Sequence, residues 1–583
     1  MKIFFDLGWF FKQERKAYLT GIILLLFVAL LQLVPPKVIG FLADDMKNGT
    51  LTSGILTKWV LVLAGTTLSM YFFRYYWRIM IFGSAIKLSR LLRNRLYHHF
   101  TTMSPAFYHK YRVGDLMAHS TNDLQAIQQT AGAGVLTLVD SLSTGGFVIV
   151  TMAVTISWKL TLICLIPMPI MVILTNWFGT MLHRTFHKAQ EAFSSLNDKT
   201  QESMTGIKVI KTFGQEKEDI EDFRKQSEDV VQKNIVVAKI DSLYDPTISI
   251  IVSISFFLAI AFGAKYVLNN ELSIGQLISF TAYLGLLVWP MLAFGWLFNI
   301  VERGRASYDR VAALLRESAE IIDHEDALDV VPSGDIHYKI KHFTYPGEVE
   351  PVLGDLDFIL KRGETLGIVG KTGAGKTTLL KLLIREFEVV HGDIFFGSKP
   401  IQTYKVEKLR GAIGYVPQDH FLFSATVAEN IAFADPTASK EKINEAAKLA
   451  NIHTDILEFT DGYETVVGER GVSLSGGQKQ RISIARALLM DPEVLVLDDS
   501  LSAVDAKTEE AILSALKENR NGKTTIITSH RLSATQHANL ILVLEDGNIV
   551  ERGTHEQLMN SGGWYKEMYL HQQLEELVEH GGV

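Results

Sequence analysis

Two neighbouring acids, Asp498 and Asp499, close an apolar run, Val494 to Leu497, inside the stretch LSGGQKQRISIARALLMDPEVLVLDDSLSAVD from Leu474 to Asp505. A strand of β-favouring residues that delivers a carboxylate at its C-terminal end is what a phosphate–Mg2+ site requires. About twenty residues earlier, Ser475, Gly476 and Gly477, followed by Gln478, expose backbone N–H groups ahead of a helix. Unpaired donors and the helix dipole stabilise an anion at such a place. Farther upstream, residues 370–377 read GKTGAGKT and fit G-x-x-x-x-G-K-[ST]. The backbone of Gly370, Lys371, Thr372, Gly373, Ala374 and Gly375 is expected to close on phosphate oxygens, with Lys376 reaching the β/γ-phosphates. The Thr377 hydroxyl is a ligand for Mg2+, and Thr378 continues into the helix. The chemistry implied is the binding and hydrolysis of a nucleoside triphosphate.

The elements that must hold these residues follow from pattern. An apolar strand, Thr365–Val369, precedes the glycine-rich loop and a helix, Thr378–Ile384, follows it, which is the context that motif needs. A soluble α/β domain therefore runs from about Asp335 to the C-terminus (335–583). It is preceded by an acidic, loop-like linker, 321–334. The 583 residues are too many for one core.

Residues 1–320 have another character. Hydrophobic residues make up 48% of the whole chain and mean hydropathy is +0.16, high for a soluble protein. Apolar runs occur near 18–34, 59–77, 135–157, 160–182, 248–268 and 274–300, each close to or above the roughly 20 residues that cross about 30 Å of hydrocarbon. Trp158-Lys159 and Asn269-Asn270-Glu271 read as tight turns. Segments 78–133 and 183–247 are long and rich in Lys and Arg, so the positive-inside rule puts them, the Lys12/Arg15/Lys16 cluster and both termini on the cytoplasmic side of a cell membrane. The N-terminus shows no cleavable signal pattern. A net charge of −7 argues against nucleic acid as partner. The single cysteine, Cys164, excludes an intrachain disulfide and reads as a packed hydrophobe.

Within the spans Asp140 stands out, because a carboxylate there costs about 2.5–3.5 kcal/mol on insertion scales unless it faces a cavity or partner. It reads either as a contact for a cationic substrate or as a local partner of Ser141, Ser143 or Thr144. Arg74 and Arg78, one turn apart among aromatics, are expected to snorkel to the interface. Pro290 is expected to kink the last span. Trp289, Phe294 and Trp296 around it are candidates to line a cavity for flat apolar compounds.

The order of motifs resembles the ATP-binding cassette (ABC) ATPases, and the resemblance covers the whole C-terminal domain. It implies a membrane all-α domain of six helices fused to an α/β P-loop NTPase, binding ATP and Mg2+. Residue by residue, it makes Tyr345 in FTYPG the aromatic that stacks on adenine. Gln418 in YVPQD becomes the residue that reaches Mg2+ and the attacking water, Asp498 a metal ligand and His530 the switch histidine near the γ-phosphate. Residues 502–505 (SAVD) match the D-loop, and 465–471 (TVVGERG) resemble the X-loop of exporters. Residues 112–122 and 205–214 are similar to the coupling helices that dock on nucleotide-binding domains.

One position departs from the family. Its catalytic base is a glutamate directly after the Walker B aspartate, and here that position is Asp499. Loss of a methylene draws the carboxylate back by about 1 Å, a misplacement that costs on the order of 10²-fold in rate. The signature LSGGQ is intact. In this family each ATP lies between one chain's Walker motifs and the other chain's signature. The pattern therefore resembles one subunit of a heterodimeric multidrug exporter, whose partner half-transporter carries the glutamate. Small hydrophobic or cationic drugs are the expected substrates. The same engine also serves lipid and peptide exporters, and with a weakened base an ATP-gated channel or regulator.

Overall fold

The computed structural model describes residues 2–468 and 472–580, apart from the side chains of Asn176, Phe294 and 576–580. Its chain divides into two compact units, one of residues 1–101 and 113–317, the other of 102–112 and 318–583.

The first unit is helical. Five stretches among its described residues are long and apolar enough to cross a membrane: Arg15–Lys47, Ser53–Thr102, Val113–Leu165, Glu216–Leu268 and Ile274–Arg316. The apolar run at 160–182 is interrupted at Ile166, which keeps helical φ and ψ, because the helix Pro167–Thr205 starts on a proline, which is preorganised for a first helical position. The expected turn at Trp158-Lys159 falls at Ser157, whose extended backbone and side-chain oxygen cap the next helix. The turn after Leu268 is tight and carries Asn270 at φ +58. At 1.5 Å per residue the 53-residue helix Glu216–Leu268 is ~80 Å long, far more than the roughly 30 Å of a hydrocarbon layer. Large apolar side chains face outward along these helices, Phe257 being 69% exposed, which suits a lipid surface and not water.

Close helix packing has local causes. Gly40 on the helix Val34–Lys47 and Gly275 on Ile274–Arg316 leave no room for a Cβ, so two backbones meet there. Asp44 seals the crossing: its carboxylate accepts from Ser273 Oγ at 2.6 Å and from Gly275 N at 2.7 Å. The helix from Ile274 continues through Pro290 against Gly145. Cys164 is fully buried among Met168, Met171 and Leu284.

The second unit is α/β. A six-stranded sheet runs in the spatial order 548–553, 540–545, 365–370, 524–528, 494–498, 413–416, parallel except for the outermost Asn548–Gly553. Its strands Thr365–Gly370, Val494–Asp498 and Thr524–Thr528 are buried nearly throughout, which their unbroken apolar and β-branched sequences require. A four-stranded antiparallel sheet, begun by Ile336–His342, covers one side. The linker segment is tied to this unit: Leu328 N donates to Thr403 O, and Asp323 accepts from Val406 N.

The turning point expected at 112–122 lies earlier. The long helix ends at Thr102, the short helix Pro105–Lys110 follows, and Val113 already begins the next membrane stretch. Ser104-Pro105 is the stronger breaker, since a residue before proline is driven out of helical conformation; Ser104 has ψ 159°. The other expected turn is a short helix, Ile207–Phe213, ended by Gly214 at φ +64.

Candidate functional site

Parallel pairing brings Ile368, Thr528 and Asp498 side by side at the carboxyl ends of three adjacent strands. Ligands of open α/β sheets bind beyond that edge. The loop after the first strand carries Gly373 at φ +86 and Gly375 at φ +94; a Cβ at Gly375 would run into Leu353. Lys376 is buried, and its Nζ donates to Gly370 O at 2.8 Å and Lys371 O at 3.0 Å. Burial pulls its pKa below the usual lysine value, offset in part by Asp499 and Asp498. Lys371 itself points outward to Glu545 at 3.0 Å.

Asp498 is held by three hydroxyls. Thr377 and Thr528 donate to Oδ1 at 3.0 and 2.8 Å, and Tyr415 donates to Oδ2 at 3.0 Å. A threonine hydroxyl and a carboxylate this close are hard oxygen donors of the kind Mg2+ shares with phosphate oxygens, so these residues fit the ion. Asp499 follows at φ +47, a conformation that Asp tolerates better than most residues. Its N–H is fixed by Thr528 Oγ1 at 2.9 Å. Oδ2 lies 3.5 Å from Gln418 Nε2 and 3.9 Å from His530 Nε2, while Oδ1 is buried with no hydrogen-bond partner among the described residues. A buried, half-unsatisfied carboxylate marks a place where something else belongs.

Tyr345 packs edge-on against Phe343 and Phe387 and shares a 2.9 Å hydrogen bond with Thr378 Oγ1. The nucleotide residues 370–378, Tyr345, Gln418, Asp498, Asp499 and His530 therefore converge on one sheet edge. The signature turn is built apart from them. Ser475 caps the helix Gly476–Leu489 and exchanges capping bonds with Gln478, whose side chain also reaches Asp455 at 3.3 Å. Arg481 grips the same Asp455 through both terminal nitrogens, at 3.0 and 2.7 Å. The hydroxyls of Tyr415 and Thr528 were not singled out from the sequence, although Thr528 ends a buried strand two residues before His530. Of the X-loop resemblance, residues 469–471 lie outside the described residues.

In the membrane unit, Asp140, Trp289 and Trp296 line a single cavity of about 620 Å3, together with Arg74, Arg78, Thr144 and Pro290. The two arginines thus border this cavity, where snorkelling alone was expected. Thr144 Oγ1 donates to Asp140 Oδ1 at 3.2 Å, the local bond the sequence offered as the alternative to substrate contact. The side chain of Phe294 lies outside the described residues.

A helical membrane unit on the same chain as a P-loop sheet with this set of side chains defines the class: an ATP-driven exporter. The chain belongs to the ABC transporter family. The pattern described as "ABC transporter transmembrane region" matches residues 18–291, and that described as "ABC transporter" matches 353–502. Over 99% of this chain and 98% of the relative, it is 47% identical to the probable multidrug resistance ABC transporter ATP-binding/permease protein YheI of Bacillus subtilis. It is 46% identical, over 99% of this chain and 98% of the relative, to the multidrug resistance-like ATP-binding protein MdlA of Escherichia coli. A solved bacterial Atm1-family ABC exporter with ATP bound superposes with a TM-score of 0.79 at 26% identity, covering 96% of this chain and 99% of that one. The protein is thus a multi-pass membrane exporter that binds ATP.

Proposed function

We propose that this chain is one subunit of a heterodimeric exporter of hydrophobic or amphipathic drugs, and that its own Walker site is the slow one. The observation that carries the reading is Asp499: an aspartate at the catalytic-base position, in a chain whose signature turn is fully capped.

Tyr345 stacks on adenine, and the 370–375 backbone with Lys376 holds the phosphates. Thr377, Asp498 and Gln418 would hold Mg2+, which when bound would neutralise charge on the phosphates. Asp499 is the group to take the proton of the attacking water, and His530 stabilises charge at the γ-phosphate. Asp499 does this slowly from its retracted position. Ser475 to Gln478 close instead over the partner's ATP, where the glutamate sits. Both termini and the ATPase unit face the cytoplasm. The multidrug descriptions of YheI and MdlA support the substrate class, as does the mixed aromatic and charged cavity. Purification of the chain from its native membrane tests the assembly. A second half-transporter bearing glutamate after its Walker B aspartate should accompany it one-to-one; recovery of a self-paired chain alone would refute the heterodimer.

A further inference from the structure

The helix Trp564–His580 belongs to the ATPase unit. Tyr565, Tyr569 and Gln572 follow one another in it at i, i+4 and i+7 and so share one face. Tyr565 is fully buried in a cluster with Val369 and Leu532, and its hydroxyl lies 2.9 Å from His555 Nδ1. Tyr569 donates through its hydroxyl to Gln536 Oε1 at 3.2 Å. With two turns anchored in this way, the third brings the Gln572 amide to the loop after strand Thr524–Thr528. Its Nε2 donates to His530 O at 2.7 Å, and Leu532 N donates to its Oε1 at 2.9 Å. Leu532 opens a short 3-10 helix, so its N–H has no partner within that helix.

We infer that Gln572 is a positioning residue for His530: its amide clamps the backbone on both sides of Arg531 and so aims the imidazole at the γ-phosphate. The inference rests on the reading of His530 as the group that meets that phosphate. The His530 side chain is 43% exposed, so packing alone does not hold it and its direction is set by the backbone. Anchoring the carbonyl of residue 530 fixes that residue's ψ, and with it the direction in which the side chain leaves the chain. The loop is also tied on another side. Arg531 N donates to Ser529 Oγ at 2.9 Å, and the Arg531 guanidinium donates to Val504 O at 3.1 Å. A donor meant for a phosphate is effective when its supporting shell is locked before the ligand arrives. A side-chain amide suits the task, because it alone offers one donor and one acceptor side by side to a C=O and an N–H.

The test uses the purified exporter complex in lipid nanodiscs, photolabelled with 8-azido-ATP carrying a radiolabelled α-phosphate, after which this chain is isolated by an affinity tag. Displacement of the label by AMP-PNP, which carries a γ-phosphate and is not hydrolysed, and by ADP gives the preference of this chain's site for the γ-phosphate. Gln572→Met keeps the length of the side chain and deletes both hydrogen bonds. It should lower that preference several-fold and leave ADP affinity unchanged. Gln572→Glu still accepts from Leu532 N but sets an oxygen against His530 O, and it should lower the preference as well. His530→Ala should do the same, and adding Gln572→Met to it should cost nothing more, because two residues that act through one contact are not additive. An unchanged preference in both Gln572 variants, an equal loss of AMP-PNP and ADP affinity, or a further loss in the double variant overturns the inference. If His530→Ala itself leaves the preference intact, the reading of His530 fails and the inference falls with it. A lowered preference in His530→Ala beside an unchanged one in both Gln572 variants refutes the inference alone.

Discussion

The side-chain nitrogen of Gln418 stands 3.5 Å from Asp499 Oδ2, at the outer limit of a hydrogen bond. Gln418 is expected to reach Mg2+ and the attacking water and Asp499 to stand at the base position, and one more methylene on residue 499 would shorten the gap between them. In Asp499→Glu the carboxylate should advance by about 1 Å, and turnover by the chain purified alone should rise by about 10–10²-fold. The positive φ at 499 makes Glu slightly less comfortable than Asp, so melting temperature is the control. Unchanged ATPase in a folded Asp499→Glu protein would mean that the short side chain is not what slows this site.

Three hydroxyls, those of Thr377, Thr528 and Tyr415, orient Asp498. Tyr415→Phe deletes the donor to Oδ2 and leaves the ring in place. A hydrogen bond to a charged group is worth about 1.5–3 kcal/mol, so Mg2+-dependent ATP binding should weaken by roughly 10-fold or more. Binding of ATP without the metal should hardly change. Isothermal titration with and without Mg2+ separates the two.

Most of the candidate site was legible because its residues are local. The loop 370–377, the acids 498–499 and the histidine at 530 each sit at the end of a strand that announces itself by apolar, β-branched sequence. What escaped was lateral. Tyr415 and Thr528 meet Asp498 only because strands 413–416, 494–498 and 524–528 are neighbours in the sheet, an order no linear pattern states. The same holds in the membrane unit, where Arg74 looked like an interfacial side chain until helix packing placed it on a cavity with Asp140. The early turn at Ser104-Pro105 is readable in the sequence, because a residue before proline is driven out of helical conformation.

Asp140 shares its cavity with two guanidinium groups, Arg74 and Arg78. Asp140→Asn removes the negative charge and leaves the Thr144 bond possible, so the cavity becomes more positive. Efflux of cationic amphipathic dyes should fall several-fold, neutral ones should change little, and anionic ones should hold or rise. The low dielectric of the site sets this sign, because opposite charges attract more strongly there than in water. Equal loss for all three classes would return Asp140 to a purely structural role.

The two composite sites are separated by their mutants in the purified complex. Phosphoryl transfer is mostly positioning and charge stabilisation, so a site with a retracted base holds ATP and turns it over slowly. If the proposed asymmetric assembly holds, Asp499→Asn should lower steady-state hydrolysis less than about twofold, the partner's site carrying most of the flux. In the proposed heterodimer the signature of this chain completes the partner site, and a carboxylate there would repel the γ-phosphate where donors are required. Gly476 is the position for it. A Cβ there meets Ala503 Cβ at an ordinary 3.8 Å, whereas at Gly477 it would press on Ala503 O at 2.9 Å and disturb the 502–505 loop as well. Gly476→Asp should therefore cost on the order of 10²-fold or more, the scale of losing a preorganised donor at a developing charge. Both variants leave the membrane helices intact, so co-purification with the partner should survive and serves as the control. If Asp499→Asn proves as damaging as Gly476→Asp, Asp499 is a working base and the asymmetric assignment is wrong.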